Sequence, residues 1–210
     1  MLMIGLTGPT GAGKGAFSRY LAEKHGIPSI DADAVYHSLL VPPSPCLDAL
    51  TEAFGTDILN PDGTLDRKKL ASIVFSSENP EHRKMQKNRL NEITHGFIMR
   101  RVSEIASEWA QNGVSAIIFD APALYEANGD RICTKTVAVL ASKEIRKARI
   151  IARDGLTEAQ AEMRIRAQHS DAFYTSRADA VLYNDGTTEE LGEAAEAFYE
   201  THLKPLLPST

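Results

Sequence analysis

At 210 residues the chain has room for one core domain with an inserted lobe, and it is short for two independent domains. A net charge of −5 excludes the broad basic face that nucleic-acid binding needs, although a local Arg and Lys cluster can still hold an anionic small molecule. Two widely spaced cysteines, Cys46 and Cys133, make neither a disulfide framework nor a metal motif; with no basic-apolar leader and no membrane-length apolar run, the expected compartment is the cytoplasm, with no membrane partner.

In chain order, the apolar run Met1–Thr7 predicts a first buried strand. Gly-Pro-Thr-Gly-Ala-Gly-Lys-Gly follows at 8–15, where Gly8, Gly11 and Gly13 let the backbone wrap round an anion with its N–H groups inward. Ala12 and Ala16 add no bulk, and Lys14 supplies a point charge for β- and γ-phosphates. A helix from Gly15 to His25 adds its positive N-terminal end and stops at Gly26 before Pro28. Gly15 stands where a Ser or Thr hydroxyl would usually touch Mg²⁺.

Ile27–Asp31 predicts a second strand and Ala34–Leu40 a helix, after which Val41-Pro42-Pro43-Ser44-Pro45 is a rigid break. Residues 46–110 read as several helices with a turn at Asn60-Pro61-Asp62-Gly63. Strands are expected at Ser115–Asp120, Thr134–Ala141 and Ala180–Tyr183, with a charged helical stretch at 143–170 and a final helix over Thr188–Leu203. The alternation predicts an α/β fold: a three-layer open parallel sheet of about five strands. The expected division is a core of 1–40, 111–142 and 171–210, a helical lobe at 41–110 and a helical lid at 143–170.

The chemistry concentrates at predicted strand ends, where open α/β sheets place their ligands. Asp31 and Asp33 flank Ala32; one carboxylate can take a proton from a substrate hydroxyl, and either can cap the next helix. Asp120 closes the third strand, either as the carboxylate on the Mg²⁺ side or as a turn former, and Glu126 presents a second acid nearby. Arg146, Arg149 and Arg153 share a helical face, which suits either solvent or a lid bringing positive charge to a γ-phosphate. Arg67, after the turn Asp62–Asp66, can reach an anion; His95 by itself reads as a packed or exposed histidine.

Together these pieces resemble the dephospho-coenzyme A kinase family. The resemblance runs from Ile4 to about Gly186 and is carried by ordered motifs. They are Gly-Leu-Thr-Gly with Gly-Ala-Gly-Lys at 5–14, Ile-Asp-Ala-Asp at 30–33, and the Phe54–Leu70 pattern with Asp-Gly-Thr-Leu-Asp-Arg. His95, Pro122–Glu126, Arg149 with Arg153, Arg-Ile-Arg-Ala-Gln at 164–168, Ala178-Asp179 and Asn184–Gly186 follow. The resemblance implies ATP as donor, Mg²⁺, and dephospho-CoA as acceptor, phosphorylated on its ribose 3′-hydroxyl to give coenzyme A and ADP. It implies Asp33 as base, residues 11–16 as the ATP phosphate site, Arg149 and Arg153 as lid arginines, and Asn184 near adenine. It also assigns the lobe carrying Arg67 and His95 to the CoA substrate. The expected assembly is a monomer or weak oligomer.

Three positions depart from the family pattern. Gly15-Ala16 replaces Ser-Thr, Gly96 replaces a proline after the histidine, and Ala123 replaces a leucine. None removes a charged catalytic group. The nearest alternative is a nucleoside-monophosphate kinase of similar fold, which tolerates Gly15. A GTP switch is disfavoured, because the chain has no Asn-Lys-x-Asp guanine-reading element.

Overall fold

The computed structural model describes residues 1–208. In chain order the elements are β1 (Leu2–Thr7), α1 (Lys14–His25), β2 (Ser29–Asp31), α2 (Ala32–Ser38), α3 (Pro45–Phe54), α4 (Arg67–Phe75) and α5 (Pro80–Gln111). They continue with β3 (Ala116–Asp120), β4 (Lys135–Leu140), α6 (Lys143–Asp154), α7 (Glu158–Arg166), α8 (Asp171–Thr175), β5 (Ala180–Tyr183) and α9 (Thr188–Phe198). Two compact units result: Met1–Asp31 with the chain from Glu108 onward, and Ala32–Ser107.

The first unit is a five-stranded parallel sheet in the order β2-β3-β1-β4-β5. Parallel strands are covered on both faces, so they read as continuous apolar runs with residues alternating between two cores. Ile4, Leu6, Ile118, Val137, Val139 and Leu182 pack with Phe17 and Leu21 of α1 and Ala195 and Phe198 of α9. Ala138 and Leu140 face the other way and pack with Tyr174 of α8. The strands fall where the apolar runs predict them; β5 keeps its expected bounds and the others are trimmed by one or two residues at an end. The final helix differs: α9 stops at Phe198, and Tyr199–Leu203 forms a π-helical turn.

The second unit is helical and has its own core of Leu40, Cys46, Leu50, Phe54, Ile58, Leu70 and Val74. Local chemistry sets its boundaries. Ser44 accepts the Leu47 N–H at 3.1 Å to cap α3, and Asp66 accepts from Lys68 and Lys69 to cap α4. Between them the expected turn forms, with the Gly63 N–H donating to Asn60 O at 3.0 Å. Helix α2 begins at Ala32, two residues earlier than the expected helix, so Asp33 sits in its first turn rather than on the strand. Among the described residues no helix is long and apolar enough to cross a membrane.

Candidate active site

The phosphate loop connects β1 to α1, and Gly8, Gly11 (φ 78°) and Gly13 all have backbones that side-chain-bearing residues rarely adopt. Gly8 has φ 131° with its missing Cβ aimed at the Val139 carbonyl; Gly13 has φ 105° with its missing Cβ aimed at Asn184 Nδ2. Neither position has room for a side chain. Lys14 lies over the loop, its Nζ donating to Gly8 O at 2.8 Å and reaching Pro9 O at 3.5 Å. Inside the turn, Ala12 N–H donates to Pro9 O at 3.3 Å, and the Ala16 and Phe17 N–H groups return to Gly13 O. The loop is thus a preformed cradle of backbone dipoles at the start of α1, which favours an anion.

Asn184, buried just beyond β5, braces this cradle: its Nδ2 donates to Ala12 O at 2.7 Å. Arg149 of α6 converges on the same point, with Nη1 donating to Asn184 O at 3.1 Å and, over longer contacts, to Gly11 O and Ala12 O. Its Nη2 meets Asn184 Oδ1 at 3.4 Å. One turn further along α6, Arg153 makes a two-point pair with Asp154 (2.7 and 2.9 Å) and reaches Thr10 Oγ1 at 3.4 Å. Arg164 of α7 binds the same Asp154 carboxylate. The Arg153 hydrogen bond, with help from Arg164, holds the Asp154 carboxyl below the usual range, and Asp154 in turn raises the Arg153 guanidinium.

Arg146 does not join these two. Its side chain is 3% exposed, with Nη1 3.9 Å from Asp171 Oδ1. Burial lowers its pKa, and Asp171 only partly counters this. The shared-face reading therefore holds for the backbone spacing, while packing turns one of the three arginines inward.

At the sheet's C-terminal edge, Asp31 of β2 lies opposite Asp120 of β3, and Asp120 lies opposite Leu6, two residues before Gly8. The chain after Asp120 is tied to β1: Ala121 N–H donates to Leu6 O at 3.0 Å and Thr7 Oγ1 to Pro122 O at 3.3 Å. A side chain built on Gly15 would meet nothing within 4 Å. This donor set fits Mg²⁺, which takes one or two carboxylates with phosphate oxygens and water. A protein-only cage is not the arrangement: among the described residues no cluster of three or more His, Cys, Asp or Glu could hold a metal.

Glu126 pairs with His169 at 2.9 Å, and the His169 ring stacks on Phe173 at 3.8 Å. In the helical unit, Asp33 is exposed in α2, Arg67 contacts His37, and His95 is half-buried on α5. Two residues with no expected site role also emerge: Gln168, whose Oε1 accepts the Thr10 N–H at 3.1 Å, and Thr10 itself. Gln168 belongs to the Arg-Ile-Arg-Ala-Gln motif, which was its only sequence signal.

Comparison with known proteins agrees with this geometry. A family model described as dephospho-CoA kinase matches residues 2–190. A dephospho-CoA kinase of Streptomyces avermitilis is 41% identical over 191 residues, covering 91% of this chain and 89% of that protein. One from Shouchella clausii is 36% identical over 188 residues, covering 90% and 92%. A crystal structure from Thermus thermophilus aligns with TM-score 0.73 at 29% identity, over 96% of this chain and 97% of the other. A phosphate loop braced by Asn184 and Arg149 on a five-stranded parallel sheet, in a chain matched over nearly its whole length, belongs to the dephospho-CoA kinase family.

Proposed function

We propose that this protein transfers the γ-phosphoryl group of ATP to the ribose 3′-hydroxyl of dephospho-CoA, releasing coenzyme A and ADP. The observation that carries the reading is the convergence of Lys14, Arg149 and Arg153 on one phosphate loop. Phosphoryl transfer needs little covalent chemistry from the protein; it needs alignment and positive charge around the transferred group. Lys14 and the loop amides bind the β- and γ-phosphates. Arg149 and Arg153, on the 143–170 hairpin acting as lid, neutralise charge and exclude water. Asn184 holds the loop beside the adenosine end of the donor.

In the reaction the 3′-oxygen attacks the γ-phosphorus in line, the bond to the β,γ-bridging oxygen breaks, and ADP leaves. Asp33 accepts the hydroxyl proton. Asp120 is assigned to Mg²⁺, with water completing the contacts that Gly15 cannot make; when bound, the ion neutralises phosphate charge. Arg67, His95 and Glu126 are assigned to dephospho-CoA. The functional division we assign is a core of 1–40 with 111–142 and 171–210, a substrate lobe of 41–110 and a lid of 143–170; the compact helical unit differs from that lobe in starting at Ala32 and ending at Ser107. The two free thiols suit a reducing compartment, and we assign a cytoplasmic enzyme that is a monomer or weak oligomer.

The test is ADP release with dephospho-CoA as acceptor, followed by location of the product phosphate by NMR. Phosphate on any oxygen but the 3′ overturns the reading. A panel of nucleoside monophosphates should give far lower kcat/KM. Asp33→Asn should keep ATP affinity and lose roughly a hundredfold or more in kcat; a near-normal rate removes its assignment as base.

A further inference from the structure

We propose that Gln168 is a positioning residue for the donor phosphates: it orients the Pro9–Thr10 peptide unit, and through it Lys14. A trans peptide unit is planar, with its carbonyl and N–H pointing in opposite directions. Here both ends are engaged. The N–H, on Thr10, donates to Gln168 Oε1 at 3.1 Å. The carbonyl, on Pro9, takes the Ala12 N–H at 3.3 Å and is reached by Lys14 Nζ at 3.5 Å. Holding the N–H from one side therefore aims the carbonyl into the loop, where it shares Lys14 with Gly8 O. Pro9 removes one backbone freedom beside this plane, because its ring locks φ.

The anchor is suited to the task. Gln168 lies one residue past the Ala167 cap of α7, with its own N–H donating to Ile165 O at 3.2 Å and the Ala167 N–H to Met163 O at 3.1 Å. At its other end α7 is closed by a reciprocal cap between Thr157 and Gln160. A second link joins the same loop residue to the same hairpin, since Thr10 Oγ1 accepts from Arg153 Nη2 at 3.4 Å. Thr10 is thus gripped by backbone and side chain from both arms of 143–170. An amide suits this position chemically: it accepts a hydrogen bond without placing a negative charge beside a triphosphate, whereas a carboxylate accepts equally well and repels it.

The inference rests on the assignment of the loop to ATP and not on the identity of the acceptor. Three readouts on the full chain test it: binding of a non-hydrolysable ATP analogue, hydrogen exchange at the Thr10 amide, and separate KM values for the two substrates. Gln168→Met keeps the bulk and removes the acceptor. It should speed Thr10 exchange and weaken nucleotide binding about fivefold, while KM for dephospho-CoA changes less than about twofold. Gln168→Glu restores the acceptor, so Thr10 exchange should stay slow while nucleotide affinity falls, a deficit that added salt reduces. Unchanged Thr10 exchange and unchanged affinity in Gln168→Met overturn the proposal. So does an equal loss for both substrates together with a lower melting temperature, which marks a general structural role. If Gln168→Met does not fold, Gln168→Glu decides: slow exchange with weaker nucleotide binding supports the proposal, and unaltered affinity overturns it. A wild-type chain that binds the analogue and fails to phosphorylate dephospho-CoA removes the acceptor assignment alone.

Discussion

In the sheet unit, Asn184 reaches Ala12 across 172 positions of chain and Gln168 reaches Thr10 across 158. In the helical unit, Asp66 caps residues two and three positions ahead, and Arg67 meets His37 across 30. The first unit builds its chemistry from distant segments that close-packed strands bring to one edge, and the buried Asn184 amide, the half-buried Gln168 amide and backbone carbonyls brace it. The second holds its charged residues outward over an apolar core, so their positions follow from where the helices begin. Alignment of the donor phosphates calls for the first kind of construction, because a misplaced donor loses alignment. The acceptor contacts proposed for Arg67 and His95 rest on the second.

The sharpest way to break this contrast is Lys14→Ala. Steady-state kinetics should show a loss of about a thousandfold in kcat/KM, since the charge proposed for the transferred group disappears. Retention of more than about a tenth of wild-type activity would remove Lys14 from the chemistry. Leu50→Ala attacks the other unit. Leu50 is fully buried, and the truncation should cost about 3 kcal/mol in urea unfolding. Affinity for dephospho-CoA should fall while ATP affinity is kept; equal loss of both would dissolve the distinction between the units.

A smaller effect is expected for Arg67→Ala, whose exposed guanidinium is assigned to an acceptor phosphate. KM for dephospho-CoA should rise about tenfold with KM for ATP unchanged, and a rise in the ATP value instead would reassign the residue. The mildest change is Gly15→Ser, because a Cβ there meets nothing within 4 Å. Replacing glycine in the first turn of α1 should stabilise the protein by about 0.5 kcal/mol. Its hydroxyl should lower the magnesium concentration needed for half-maximal turnover. An unchanged magnesium titration would remove position 15 from the ion's proposed surroundings.

Local chemistry made much of this molecule legible. Gly8, Gly11, Gly13 and Lys14 specify a phosphate loop without reference to anything distant, because sterics leave few other residues able to follow that path. The apolar runs mark five strands because a doubly covered parallel strand has no polar face. In 45–75 the sequence marks several helices and the turn at 60–63, and the structure shows Ser44 and Asp66 capping the helices there, each acting on neighbours within a turn. Even here one boundary moved: α2 starts at Ala32, so Asp33 is a helix residue.

The sequence by itself determined the loop, the alternation of strands and helices, and the family, since each depends on short-range backbone preferences or on ordered motifs. Only the tertiary structure decided which side chains meet. Three arginines with one helical spacing have three fates: Arg149 on the loop carbonyls, Arg153 on Asp154 and Thr10, and Arg146 buried near Asp171. Glu126 turned to His169, and Gln168 to Thr10. Side-chain partnership across a hundred or more residues depends on how the α6–α7 hairpin packs against the sheet, and no local preference encodes that packing.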